Sequence, residues 1–188
     1  VHGKADADPG VDDRQMAPRS GHRYRWDERP SSRTAGIYAY FINSPDVLRP
    51  ISVPASGPLY IGMTDSSLDA RCHFEHPHSG FSTLRRSLGA ILKDQLRLRA
   101  LPRAPGPSRT NVLCYRFDTD GESRLTEWMR ENLTYSYREI ADNVAAAEKA
   151  EIGSACPPLN LTGWRNPQRA EIRRLRALCV AEATVARA

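Results

Sequence analysis

Apolar and polar positions follow two periods along this chain. The segments 35–42 and 58–63 alternate, placing Ile37, Ala39 and Phe41 on one face and Tyr38 and Tyr40 on the other, and likewise Leu59 and Ile61 opposite Tyr60 and Gly62. Two strands are therefore predicted, joined by a loop, because Pro45, Pro50, Pro54 and Pro58 rule out a tight hairpin turn. If the strands pair, their aliphatic faces form core and the tyrosines stand together on the other side. After the second strand, Ser66-Ser67-Leu68-Asp69 has the form of a capping box and predicts a helix. That helix would bury Leu68 and Cys72 and hold Arg71 beside the buried face.

Further on the period changes to that of helices. Leu84, Leu88, Ile91, Leu92 and Leu96 mark a helix over 83–98 whose polar face carries Arg85, Arg86, Lys93 and Arg97. A proline-rich loop over 101–108 precedes a strand expected at 111–117. Leu125, Trp128 and Met129 define the apolar face of a third helix, and a short strand follows at 134–140. An alanine-rich helix over 143–154 contains Glu148 and stops before Pro157-Pro158. A last helix over 167–183 packs through Ile172, Leu175 and Cys179, with Arg169, Arg173, Arg174 and Arg176 outward. Strands followed by a mixture of strands and helices give an α+β domain, here 34–188. Residues 1–33, rich in Asp, Arg, Pro, Gly and Ser, are expected to form a disordered arm. Within it His22-Arg23-Tyr24-Arg25-Trp26 interleaves cations and aromatics, suited either to stacking on bases or to packing on the domain.

Composition narrows the function. The 188 residues hold one domain with a core, and 27 Lys+Arg against 22 Asp+Glu leave a net charge of +5. The excess favours an anionic partner. Nearly all of it is arginine, since lysine occurs only at positions 4, 93 and 149; arginine's fork suits phosphate, although the same bias follows from GC-rich coding. Cys72, Cys114, Cys156 and Cys179 are too scattered for a zinc site or a disulfide scaffold. There is no signal peptide and no apolar run long enough to span a bilayer, so a cytoplasmic protein with no membrane partner is expected. Walker, Rossmann, H-E-x-x-H and nucleophile-elbow motifs are all missing.

The chemistry-bearing residues are the two strand tyrosines and Arg71. Two phenols and a guanidinium near one sheet face make a site for phosphate chemistry, although Arg71 alone also reads as a surface residue paired with Glu75 at i+4. The paired segments Gly36-Ile37-Tyr38 and Tyr60-Ile61-Gly62 resemble the GIY-YIG endonuclease family. Glu148 followed by Pro158-Leu159-Asn160-Leu161, together with 82–88 and 125–129, is similar to a bacterial subgroup of it, so the likeness runs over about 35–178. It implies a small mixed or antiparallel three-stranded central sheet flanked by helices.

The same resemblance implies site residues. Tyr38, Tyr60, Arg71, Glu148 and Asn160 would be catalytic, with Glu148 holding a single Mg²⁺, Mn²⁺ being the alternative ion. Many members carry a histidine one turn after the arginine; here that position is Glu75, and His76, on the Cys72 face of the predicted helix, is the substitute, while His73 points away. A solvated histidine cluster remains the other reading. Glu151 competes with Glu148 as ligand, and Asn160 either orients the glutamate or a phosphate or bonds its own turn. Arg85, Arg86, Lys93 and Arg97 are expected to contact the DNA backbone. The implied activity is metal-dependent hydrolysis of DNA phosphodiesters, with a homodimer left open. The rival readings are a non-catalytic nucleic-acid-binding module on the same scaffold and a protein-interaction domain whose tyrosines are core.

Overall fold

The computed structural model describes residues 21–187. At its centre β1 (Gly36–Ile42) pairs antiparallel with β2 (Tyr60–Thr64) on one side and with β5 (Leu133–Glu139) on the other. Register sets Tyr38 opposite Gly62 and Tyr137, and Tyr40 opposite Tyr60 and Tyr135. Because side chains alternate, this stacks Tyr38, Tyr40, Tyr60, Tyr135 and Tyr137 on one face and Ala39, Ile61 and Ser136 on the other. Both faces are covered, which is why β1 is buried from Gly36 to Phe41.

The covering differs from the simple alternation argument. The tyrosine face forms the larger core: Tyr38, Tyr40 and Tyr135 pack with Phe74, Leu84, Leu125 and Met129, their rings meeting edge-on or stacked. The aliphatic face is the smaller cluster, where Ala39, Phe41 and Ile61 meet Ile152 of α4 (Val144–Ala155) and Trp164.

Helices supply the rest. These are α1 (Thr83–Ile91), the short α2 (Arg109–Leu113), α3 (Thr119–Asn132) and α5 (Arg169–Val185). α1 starts where Ser82 Oγ accepts from the Arg85 amide at 3.1 Å, and α3 where Asp118 accepts from Gly121. A two-stranded ribbon pairs β3 (Ala100–Leu101) with β4 (Arg116–Phe117).

Four expectations are corrected. The strand predicted at 111–117 is mostly α2: the backbone amides of Asn111 and Cys114 close helical turns on Ser108 and Thr110, and only Arg116 and Phe117 reach a ladder. The helix predicted over 83–98 ends at Ile91, and the apolar spacing continues through turns that close at Arg97 with φ 50°.

The helix predicted from Ser66 does not form either. The amides of Leu68 and Asp69 bond the carbonyls of Thr34 and Ser32, and the Asp69 carboxylate is taken by Arg29, Ser31 and Ser32 instead of capping its own backbone. In place of a helix, a chain of single turns runs through Arg71, Cys72 and Glu75. Finally, residues 21–33 of the expected arm are docked: Tyr24 and Tyr135 exchange backbone hydrogen bonds of 2.7 and 2.8 Å, Arg23 lies 3.9 Å over the Phe41 ring, and Trp26 lies under Arg130. Residues 1–20 of that arm lie outside the described residues.

Candidate active site

Tyr38 sits wholly buried in the middle of β1, its ring pointing toward the turns after β2. Its hydroxyl lies 2.9 Å from Nε2 of His73, and Nδ1 of His73 lies 2.7 Å from Ser82 Oγ. The backbone amide of His73 donates to the Tyr40 hydroxyl at 2.9 Å, so one strand tyrosine holds the histidine's backbone and the other its ring. Burial drives the Tyr38 pKa well above the phenolic range, with Tyr60 adding to the rise and the Arg71 guanidinium opposing it. Burial likewise holds His73 well below 6.5, assisted by His76 and by the charges of Arg71 and Arg85. The pair is therefore a neutral phenol against a neutral imidazole at physiological pH.

Tyr60, on the edge strand, is only partly buried and opens into a cleft of about 670 Å³. Glu148 of α4 and Asn160 line the same cleft, facing Arg173 and Arg176 of α5. Burial and then the Glu148 charge push the Tyr60 pKa up to about 12, against the opposing charges of Arg71, Arg86 and Arg176. Arg71 is exposed on its turn, lines a neighbouring depression, and acts on both tyrosines. Tyr60 thus bridges two groups of residues, the Tyr38–His73 pair within the core and the Glu148 cleft outside it, its ring meeting His73 edge-on at 6.0 Å.

The family model of the GIY-YIG catalytic domain matches residues 36–178. The chain belongs to the GIY-YIG family. Comparison with curated proteins and with solved structures gives no significant match. The matched domain is that of endonucleases, and the three-stranded antiparallel sheet flanked by helices agrees with the GIY-YIG fold.

With the GIY-YIG frame fixed, each expected site residue has a definite place. His73, not His76, stands on the motif tyrosine. The reversal follows from the missing helix: helical spacing would turn His73 away, whereas the successive turns point it inward. His76 stacks on His73 with ring centroids 5.5 Å apart and makes no hydrogen bond among the described residues. Ser82, the first residue of the 82–88 segment of the family likeness, completes the row.

Asn160 orients neither glutamate nor its own turn. Its Oδ1 accepts from the Ile61 amide and its Nδ2 donates to the Ile61 carbonyl, both at 2.8 Å. The side chain thereby completes the free edge of β2, as a neighbouring strand would. Glu151 pairs with Arg138 at 3.2 Å, whereas Glu148 forms no salt bridge among the described residues.

The expected DNA contacts on α1 are corrected most sharply. Arg85 is wholly buried, bonding Glu122 at 2.7 Å, the carbonyls of His73 and Glu122, and Thr126. Arg86 is also buried, donating to the Gly80 carbonyl at 2.8 Å. Lys93 pairs with Glu182 of α5 at 3.0 Å. Arg97 remains exposed, but on a depression shared with Arg124 and Trp128 and away from Tyr60 and Glu148.

Whether Glu148 suits a divalent cation follows from its surroundings. Its carboxylate opens on the cleft without a cationic partner, and burial raises its pKa, a cost that a hard cation would offset. No group of three metal-ligating side chains gathers among the described residues. Such an ion would be held by one carboxylate plus water and substrate oxygens, a mode common for Mg²⁺. No helix of the described residues is long and apolar enough to cross a membrane.

Proposed function

We propose that this GIY-YIG domain hydrolyses DNA phosphodiesters with a divalent metal, Mg²⁺ or Mn²⁺, held by Glu148. The observation that carries the reading is the shared cleft of Tyr60 and Glu148, a phenol and an unpaired carboxylate, with Arg71 acting on that phenol from one side. When bound, the ion would supply charge neutralisation at the leaving oxygen.

The chain's own groups would do the rest. Tyr60, the phenol open to the cleft, orients the attacking water by hydrogen bonding. Arg71 places its charge where the phosphorane oxygens gain negative charge, the stage at which an interaction raises the rate. Tyr38 is held by hydrogen-bond direction. Ser82 Oγ already accepts from the Arg85 amide and is wholly buried, so its own hydrogen goes to Nδ1 of His73. His73 then donates from Nε2 to the Tyr38 oxygen, which fixes the phenol on its strand.

Supercoiled plasmid incubated with Mg²⁺, with Mn²⁺ and with EDTA tests the reading. Relaxed or linear product that depends on the cation, and that Glu148→Ala abolishes, is the expected result. No cleavage of any DNA under these conditions would leave the nucleic-acid-binding module in its place.

A further inference from the structure

The cleft that holds Tyr60 and Glu148 contains more positive charge than its one acid balances. Arg173 and Arg176 of α5 line it, and neither forms a salt bridge among the described residues. Arg174, between them in sequence, behaves differently: Glu171 holds its guanidinium with both carboxylate oxygens, at 2.7 and 2.8 Å. Of these three arginines, only Arg174 is taken by an acid, and the two that line the cleft are left open.

A second observation points to a ligand. Arg86 is 8% exposed, has no carboxylate partner among the described residues, and its Nε atom has no hydrogen-bond partner among them either. Burial and then the Arg176 charge lower its pKa, so the two guanidinium groups are near enough to repel. Its Nη2 rests 3.3 Å from the Thr83 hydroxyl, and Thr83 lines the same cleft. A buried cation facing a second cation is unfavourable in the free protein. An anion in the cleft would relieve it.

The spacing indicates what kind of anion. Arg169, Arg173 and Arg176 fall at i, i+4 and i+7 and so share one helix stripe. Seven residues of helix span about 10 Å, and phosphates of one strand recur about every 3.4 Å along a duplex axis. A lone phosphate would occupy only the cleft end, whereas a strand would engage the exposed Arg169 as well.

We propose that Arg173 and Arg176, backed by Arg86 and extended by Arg169, form the track that grips the nucleic-acid backbone beside the scissile phosphate. The assignment rests on the nuclease reading for what happens next to the track, but its own content is binding. The contacts expected from α1 thereby move to α5, where the guanidinium groups are open to a ligand.

The test uses the full chain in EDTA, so that binding is read without cleavage. Fluorescein-labelled duplex DNA and an RNA duplex of the same sequence are titrated by anisotropy at several salt concentrations. The double variant Arg173→Gln/Arg176→Gln is expected to raise Kd at least about tenfold at low salt. On the DNA duplex the slope of log K against log salt should fall in magnitude by roughly 1.8, the share of two phosphate contacts. Arg174→Gln should bind within about twofold of the wild type, as its charge is already taken by Glu171.

Unchanged Kd and slope in the double variant overturn the track. So does equal weakening by Arg174→Gln, or competition by polyglutamate as strong as by unlabelled DNA, which would make the stripe a general acidic-partner surface. The tighter of the two binding curves, DNA against RNA, identifies the strand. Binding as expected without any metal-dependent cleavage would retain the track and remove the nuclease reading; cleavage with wild-type binding by the double variant would do the reverse.

Discussion

A β-carbon on Gly62 would stand 2.5 Å from the Tyr38 hydroxyl oxygen and 2.6 Å from Cζ of its ring. The two residues are register partners on β2 and β1, so the Tyr38 ring crosses the sheet directly over the Gly62 backbone. Only a residue without a side chain lets the hydroxyl reach His73 at 2.9 Å. The first glycine of the motif has a similar reason, since a β-carbon on Gly36 would run into the Arg138 carbonyl of β5. The G-I-Y and Y-I-G segments are therefore one packing arrangement written in two places.

Gly62→Ala should move Tyr38 off His73 and cost about 1–3 kcal/mol, the usual penalty of overpacking a filled core. Gly153→Ala is the control. Gly153 is exposed in α4 and a β-carbon there would meet nothing within 4 Å, so the substitution should stabilise by about 0.5–1 kcal/mol. Urea unfolding of the two variants beside the wild type measures both signs.

Arg85→Ala should behave as a core mutation. The guanidinium is wholly buried on Glu122, which also accepts from the amides of Ser79 and Phe117 and from the Ser79 hydroxyl. Removing the cation leaves a carboxylate in the core, and the expected loss is about 3–5 kcal/mol. Arg97→Gln, at an exposed turn, should change stability by less than about 0.5 kcal/mol. Equal midpoints of thermal unfolding for the two would contradict the burial argument.

Much of this architecture is legible in the chain. Period-two alternation locates β1 and β2, helical spacing locates α3 and α5, and alanine content ended by Pro157-Pro158 locates α4, because in each the local signal and the final packing agree. The region 66–78 misleads because its capping signal is real but spent elsewhere: Asp69 caps nothing and instead ties down residues 29–32, contacts about forty positions away in sequence that no local pattern encodes. The preference for His76 over His73 stems from that one feature. Arg85 misleads for a related reason. Outward and inward arginines look alike until Glu122 is known to lie across from one of them.

Asn160→Ala should detach the 157–160 segment from the edge of β2. The substitution leaves the Ile61 amide and carbonyl unmatched in a buried strand, at about 1–3 kcal/mol for each. Asn160→Asp keeps the acceptor for the Ile61 amide, loses the donor to its carbonyl, and should fall between. Because Asn160 also lines the Glu148 cleft, cleavage should decline with stability, and hydrogen exchange at the Ile61 amide would report the detachment directly.

Acid should weaken the fold through His73. Its folded-state pKa is held well below 6.5 by burial and by neighbouring His76, Arg71 and Arg85, so on lowering the pH the unfolded chain takes up a proton that the native imidazole refuses. The stabilisation is fully present above pH 6.5 and is lost as the pH falls from there toward the folded-state pKa, by up to about 1.4 kcal/mol per pH unit for the one group. His76 and His78 are also lowered by burial and act in the same direction, so the wild-type slope exceeds that of one histidine. Glu148 has the opposite sign: its pKa is raised above 4.5, and its contribution is lost as the pH rises through that shifted value. His73→Gln cannot titrate, and should flatten the fall in unfolding free energy between pH 6.5 and about 5.5 while lowering the stability at neutral pH. A variant with the wild-type pH slope would show that His73 takes up its proton as readily in the native protein as in the unfolded chain, against the burial argument.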